Sequence, residues 1–245
     1  MIRSILDSLE TRGLMTTLSL AICRIYDYYF DVKYNIETVR KHTLDELTIN
    51  SVGKEGGTRY QPTMVLPMRR LFRKLSALNP RESVFVDFGC GKGRTLVVAA
   101  ELGFAGVRGV EFAAELCESA EKNYRLYQKK SGNRVDFRIV MEDVSDYAVK
   151  EDENVFFMYN PFAETVVAQV LSNIDRSLEQ CQRKVWLVYH NPVWGGVVES
   201  GHSFTKIGSY RPWNLIPYSI YSNYPSQARR AQRLVDPEED VSENR

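Results

Sequence analysis

Short apolar runs alternate with longer amphipathic stretches along most of this chain. Runs rich in β-branched and aromatic residues predict strands at 84–88, 107–111, 135–140, 154–159 and 184–189. Stretches with apolar residues three or four positions apart predict helices at 62–78, 94–102, 113–130 and 164–180. The alternation indicates an α/β fold in which helices cover a mostly parallel sheet.

The two ends of the chain depart from this alternation. At the N-terminus, an apolar stripe with helical spacing predicts one or two helices. These helices could cover the main domain or form a lid, a dimer face or a membrane-surface contact. The members of the stripe are Ile2, Ile5, Leu6, Leu9, Leu14, Leu18, Ile22 and Ile25. Near the C-terminus, alternating residues over 204–210 and 215–221 predict an antiparallel hairpin. We therefore expect an N-terminal helical extension or lid (1–58), a main domain (59–225) and a flexible charged tail (226–245).

A glycine-rich turn follows the first predicted strand, in the sequence D-F-G-C-G-K-G-R from Asp87 to Arg94. Gly89, Gly91 and Gly93 permit a tight turn and let a ligand approach without meeting a Cβ atom. The next helix begins near Arg94, so the turn lies against the partial positive charge of a helix N-terminus. A glycine-containing loop ends close to this turn, and its Tyr60 is a candidate to close a pocket there.

Acidic residues end the next two predicted strands. Glu111 lies about twenty residues beyond the glycines, the spacing at which a doubly wound fold places a carboxylate for the hydroxyls of a ribose. Asp143 follows the third strand. The fourth strand stops at Asn160-Pro161-Phe162, and the fifth, which ends in Tyr189, stops at His190-Asn191-Pro192. The carboxyl ends of parallel strands share one edge of a sheet, so these groups are predicted to lie close together.

Composition narrows the function classes. The formal charge is +1, from 32 basic and 31 acidic residues, so the chain lacks the overall positive field of a nucleic-acid-binding protein. The four cysteines form no zinc-binding spacing, which favours free thiols, a cytoplasmic location and no cysteine metal site. The apolar stretch over 13–23 is too short to span a membrane.

The strand, D-x-G-x-G-x-G turn, acid-ended strands, N-P-F segment and hairpin together resemble the class I S-adenosylmethionine-dependent methyltransferases over about residues 60–224. This resemblance implies a Rossmann-like, doubly wound, mostly parallel seven-stranded sheet that ends in an antiparallel hairpin. It also implies S-adenosylmethionine as the cofactor and an unidentified methyl acceptor as the partner.

The resemblance assigns a role to each matching residue. Gly89, Cys90, Gly91 and Gly93 would form the turn beneath the methionine portion of the cofactor, and Asp87 would support its ammonium. Glu111 would accept both ribose hydroxyls. Asp143 would accept from the adenine amino group, and the backbone of Val144 would contact the ring edge.

The acceptor side of the site is less defined. Asn160-Pro161-Phe162 is similar to the N-P-P-Y motif of methyltransferases that act on planar nitrogens, but it lacks the second proline. His190 is a candidate general base, and Tyr189 or Asn160 is a candidate for holding the acceptor by hydrogen bonds. The acceptor nitrogen or oxygen could belong to a small molecule, a sugar or a protein side chain.

Two other functions fit parts of the pattern. An NAD-dependent oxidoreductase shares the strand, the glycine turn and the ribose acid. A non-catalytic scaffold could retain the fold and act through its N-terminal helices, which are also a candidate homodimer contact.

Overall fold

A computed structural model describes residues 11–39, 61–159 and 162–224. The predictions for Tyr60, for Asn160 and for the tail over 226–245 fall outside these described residues.

The described residues form six α-helices and seven strands. The helices are α1 (Leu14–Tyr34), α2 (Val65–Lys74), α3 (Arg94–Glu101), α4 (Ala114–Ser131), α5 (Glu164–Gln180) and α6 (Gly195–Glu199). The strands are β1 (Val84–Phe88), β2 (Gly106–Glu111), β3 (Asp136–Met141), β4 (Glu153–Tyr159), β5 (Trp186–His190), β6 (Thr205–Tyr210) and β7 (Tyr218–Ser222). Single 3₁₀ turns lie at Pro80–Glu82 and Pro212–Asn214.

The strands form one sheet in the order β3-β2-β1-β4-β5-β7-β6. Strands β1 to β5 pair in parallel, whereas β7 is antiparallel to both β5 and β6. The predicted doubly wound sheet with a terminal antiparallel hairpin is confirmed. Because the strand order reverses direction at β1, the turn after β1 lies at the switch point where such sheets bind ligands.

Apolar side chains fill a layer on each face of the sheet. Successive residues of β1 point to opposite faces, so Phe85 packs in one layer while Val86 and Phe88 pack in the other. Burial on both faces explains why the central strands are nearly continuous apolar runs. None of the helices within the described ranges is both long and apolar enough to cross a membrane.

Helix α1 covers the domain, but not with its apolar stripe. Leu14, Leu18, Ile22 and Ile25 are 48% to 70% exposed, so these four members of the predicted stripe do not pack on the domain. Its other members, Ile2, Ile5, Leu6 and Leu9, lie outside the described residues. The buried residues of α1 are Cys23, Asp27, Phe30, Asp31 and Tyr34. Burial of the two aspartates is compensated by hydrogen bonds from backbone N–H groups and hydroxyls.

Candidate functional site

Three glycines shape the turn between β1 and α3. Gly89, Gly91 and Gly93 have φ values of 82°, 52° and 76°, in the left-handed region that other residues adopt at an energetic cost. The N–H groups of Gly89 and Cys90 both donate to the carbonyl of Val110, at 2.9 and 3.1 Å. The turn is thereby fixed against the end of β2.

Glu111, at the end of β2, holds this turn in place. Its carboxylate accepts hydrogen bonds from the backbone N–H groups of Gly91 (2.9 Å), Phe112 (3.0 Å) and Ala113 (3.1 Å). Burial raises the pKa of Glu111, and the three N–H groups oppose that shift. Glu111 therefore organises the glycine turn as well as being the predicted ribose acceptor.

Asp87 is the last residue but one of β1, directly before the turn. The hydroxyl of Thr95 donates to its carboxylate. Burial raises the pKa of Asp87 to about 7, with a smaller contribution from the charge of Glu111. Asp87 is thus a buried acid whose ionisation would be favoured by a cation placed above the turn.

Asp143 and Val144 follow β3 in a short turn. One oxygen of Asp143, Oδ1, accepts from the backbone N–H and the hydroxyl of Ser145, at 2.9 and 2.7 Å. Val144 is buried in the same apolar layer as Phe88. The half-buried Asp143 carboxylate has its Oδ2 free of described hydrogen-bond partners, and the side chain of Val144 belongs to the core.

Arg94 joins the glycine turn to helix α1. Its guanidinium donates to Asp27 (2.9 Å), to the hydroxyl of Thr38 (2.7 Å) and to the carbonyl of Thr63 (3.3 Å). Nη2 of this buried side chain has no hydrogen-bond partner among the described residues. The neighbouring Lys92 is also buried and pairs with Glu37 at 3.0 Å.

A cavity of about 890 Å³ lies between α1, the ends of β4 and β5, and the loop that joins β6 to β7. Arg24 and Asp27 line it from α1, Arg94 lines it from the start of α3, and Tyr159 and His190 line it from the strand ends. Its size is typical of a site for a small molecule.

His190 lies between two aromatic rings in the cavity wall. Its ring stacks on Tyr159 at 4.0 Å and on Tyr218 at 4.1 Å. Burial lowers the pKa of His190 to about 3, so the imidazole is neutral at physiological pH. Its buried Nδ1 has no hydrogen-bond partner among the described residues.

Tyr189 points to the other face of the sheet. It is fully buried in the layer that contains Val198 and Tyr221, and burial raises its pKa to about 12. It is not among the described residues that line the cavity. Successive residues of a strand face opposite sides, so Tyr189 and His190 do not converge on one acceptor from β5.

Residues 86–183 match the family model described as a methyltransferase domain. This segment contains the glycine turn, Glu111 and Asp143. This match bears out the resemblance of the chain to the class I S-adenosylmethionine-dependent methyltransferases. A search of curated proteins gave no match to the chain.

Several solved structures of methyltransferases are similar in fold to this chain. The Escherichia coli protein yhhF, assigned as a methyltransferase, has 17% identity and a TM-score of 0.50, over 64% of this chain and 85% of that one. A TehB-like S-adenosylmethionine-dependent methyltransferase from Corynebacterium glutamicum has 18% identity and a TM-score of 0.45, over 63% and 86%. An RNA methyltransferase from Salinibacter ruber, in complex with S-adenosylhomocysteine, has 20% identity and a TM-score of 0.47, over 66% and 93%.

The residues at the strand ends fit S-adenosylmethionine, with one adjustment. A carboxylate offers about four lone-pair positions, and three backbone N–H groups already occupy three of those of Glu111, which leaves one. Accepting both ribose hydroxyls therefore requires one of these N–H bonds to be shared or released. Among the described residues, no cluster of His, Cys, Asp or Glu could hold a metal ion.

The polar contacts between α1 and the glycine turn were missed by sequence reasoning. Asp27 and Asp31 lie on one helix face four residues apart, and two buried acids on a helix indicate partners such as Arg94 and the N–H groups of Thr38 and Val39. That spacing was the available signal, although it does not identify the partners.

Proposed function

We propose that the chain transfers a methyl group from S-adenosylmethionine to a nitrogen or oxygen atom of an acceptor molecule. The observation that carries this proposal is the arrangement of the Gly89–Gly93 turn, Glu111 and Asp143 at successive strand ends, on the edge of the sheet where the cavity opens. A cofactor held along β1 to β3 would present its methyl group toward the ends of β4 and β5.

The cofactor would lie along the strand ends in a defined direction. Its methionine portion would lie over Gly89, Cys90 and Gly91, with Asp87 close to its ammonium. Its ribose would bind Glu111 and its adenine Asp143, with the backbone of Val144 at the ring edge. Tyr60, outside the described residues, is proposed to close this side of the pocket.

When bound, S-adenosylmethionine supplies a sulfonium methyl group that an acceptor atom attacks in line with the departing sulfur. The chain's own contribution is positioning and exclusion of water. The stacked rings of Tyr159, His190 and Tyr218 provide a rigid wall for an acceptor.

His190 is proposed to contact the acceptor as a neutral imidazole. Its partnerless Nδ1 can accept a hydrogen bond from an acceptor N–H or O–H group. With its pKa lowered to about 3 by burial, His190 orients that group as a hydrogen-bond acceptor and does not take up its proton. The acceptor's proton would leave to solvent when the methylated product is released. Asn160 remains a proposed acceptor contact, whereas Tyr159 replaces Tyr189 because it lines the cavity.

The test is a methyl-transfer assay with labelled S-adenosylmethionine against fractionated host extract. Label should enter one chemical class of acceptor, and His190→Phe should reduce transfer while leaving S-adenosylhomocysteine affinity unchanged. Titration with S-adenosylhomocysteine and with NAD distinguishes this proposal from the two alternative functions. Tight NAD binding without S-adenosylhomocysteine binding would indicate an oxidoreductase, and cofactor binding without any transfer would indicate a scaffold.

A homodimer through α1 is proposed from the spacing of its exposed apolar residues. They follow one another at alternating intervals of three and four, as in a coiled-coil seam: Met15, Leu18, Ile22, Ile25, Tyr29 and Val32. Light scattering should give a dimer mass for the wild type and a monomer mass for Ile22→Glu. A monomeric wild type at all concentrations would contradict the proposal.

The proposed location is the cytoplasm, in keeping with four free cysteines. We also propose the division into an N-terminal helical extension (1–58), a methyltransferase domain (59–225) and a charged tail (226–245).

A further inference from the structure

Positive side chains are concentrated in the wall of the 890 Å³ cavity. Arg12, Arg24, Arg94 and Arg211 line it, and Asp27 is the single acidic residue among the described lining residues. Since the whole chain is nearly neutral, this concentration is a local feature of the cavity. Charges of one sign in a cleft with low-dielectric walls attract a ligand of the opposite sign.

Within the described residues, most of this charge has no carboxylate partner. Among the four arginines, Arg94 is the one paired with a described carboxylate, Asp27 at 2.9 Å. Within the described residues, no carboxylate lies within salt-bridge distance of Arg12, Arg24 or Arg211. Arg94 has 3% of its side chain exposed, and its Nη2 has no hydrogen-bond partner among the described residues, so this donor at the inner end of the cavity is also available to a ligand.

The rim that carries Arg211 is held in an uncommon backbone conformation. Trp213 and Asn214 have φ values of 48° and 56°, and Asn191 on the facing loop has 55°. The guanidinium of Arg70 lies 4.2 Å from the centre of the Trp213 ring, which fixes this loop to α2. Such backbone conformations persist where the surrounding structure enforces them, often at ligand sites.

We propose that this cavity binds the methyl acceptor through an anionic group, a phosphate or a carboxylate, held by Arg24 and Arg211 at the rim and by Arg94 at the inner end. The proposal deepens the proposed function, and rests on it, by naming the chemical class of the acceptor: a small molecule with an anionic group. Guanidinium groups suit this role because their planar donors match the oxygens of phosphate and carboxylate. The atom to be methylated would then lie toward Tyr159 and His190.

The cavity is separate from the proposed cofactor residues. Glu111, Asp143 and the three turn glycines are absent from its described lining, and only Arg94 adjoins them in sequence. An anion in the cavity and a cofactor on the turn can therefore be measured independently.

The experiment is calorimetric titration of the full chain with inorganic phosphate and with citrate, at constant ionic strength set with chloride. Arg24→Gln and Arg211→Gln change exposed residues and should retain the wild-type unfolding temperature. Arg125→Gln is the matched control, since it removes one exposed positive charge outside the cavity. Each protein is also titrated with S-adenosylhomocysteine and with a uridine decanucleotide.

At least one of the two anions should bind the wild type and the control equally, and about tenfold more weakly to each cavity variant. Preference between phosphate and citrate identifies the anionic group. S-adenosylhomocysteine affinity should be the same in all four proteins.

Four results would overturn the proposal. The first three are no binding of either anion, an equal loss in the control, and weakening of S-adenosylhomocysteine binding in the cavity variants, which would assign the arginines to the cofactor. Arginine-dependent binding of the decanucleotide in place of the small anions would also overturn it, in favour of a nucleic-acid acceptor. Failure of S-adenosylhomocysteine to bind the wild type contradicts the proposed function instead, whatever the anions do.

Discussion

Replacing Glu111 should weaken both the fold and the cofactor site. The side chain links the end of β2 to the glycine turn through Gly91 and to the start of α4 through Phe112 and Ala113. Glu111→Ala removes the carboxylate, whereas Glu111→Gln keeps its shape and one acceptor oxygen but removes the charge. The two variants separate the contribution of the charge from that of the hydrogen-bond geometry.

The expected loss of folding stability follows from the three hydrogen bonds. Each hydrogen bond to a charged group contributes about 1.5 to 3 kcal/mol to stability, so the sum over three bonds is a large upper limit. The cost of burying the carboxylate, which also raises the pKa of Glu111, offsets part of it. We expect Glu111→Ala to lower the free energy of unfolding by about 2 to 4 kcal/mol and Glu111→Gln by about half as much.

Denaturant unfolding measures the loss of stability, and calorimetric titration with S-adenosylhomocysteine measures the loss of cofactor affinity. Affinity of the folded protein should fall about tenfold or more, because the ribose loses charged hydrogen bonds. Glu142→Gln is the control, because it removes a neighbouring charge. The hydrogen bond from Glu142 to the carbonyl oxygen of Glu111 comes from the backbone N–H of Glu142, which the substitution retains. Reduced stability with unchanged affinity would refute the ribose assignment, and reduced affinity with unchanged stability would refute the structural role.

Three further predictions concern burial and pH. Burial raises the pKa of Asp87 to about 7, so the folded chain retains a proton that the unfolded chain releases. The free energy of unfolding should therefore fall as the pH rises from about 4 to 7, by up to about 1.4 kcal/mol per pH unit. Unfolding curves of Asp87→Asn should lack this slope. Burial lowers the pKa of His190 to about 3, so stability should fall as the pH drops below about 6.5, and His190→Phe, which can occupy the same aromatic stack, should be less acid-sensitive in thermal scans. A Cβ at Gly109 would lie 2.6 Å from the sulfur of Cys90, so Gly109→Ala should cost about 1 to 3 kcal/mol in denaturant, whereas Gly196→Ala, with no atom within 4 Å of its Cβ, should not destabilise the fold.

The sheet could be predicted from the sequence because its signals are local. Each central strand is a short apolar run, and Gly89 and Glu111 mark the ends of two of them. Strand ends were correct to within two residues, as hydrophobic periodicity permits, except that β7 begins three residues later than predicted. The short helix α6 was missed, because the glycines at 195 and 196 weaken its helical pattern.

The orientation of α1 could not be predicted, since periodicity identifies an apolar face but not what it contacts. Leu18 and Ile25 are exposed, while Asp27 and Asp31 are buried. Both aspartates can be buried because they have polar partners. Asp27 pairs with Arg94 and accepts from the N–H of Val65, both more than thirty residues away, and Asp31 accepts from the N–H of Thr38, just after the helix. Such pairing depends on the tertiary arrangement, which a single sequence does not show.

The Asp27–Arg94 pair connects the two halves of the candidate site. Arg94 directly follows the last glycine of the turn, and Asp27 also accepts the first N–H group of α2, from Val65, at 2.9 Å. Burial raises the pKa of Asp27, and the charge of Arg94 opposes that shift and favours the ionised carboxylate. An anion that bound Nη2 of Arg94 would act on the same guanidinium that fixes α1 to the glycine turn. Arg94 therefore belongs both to the cavity wall and to the contact between α1 and the start of α3, whereas the turn glycines, Glu111 and Asp143 lie outside the described lining of the cavity.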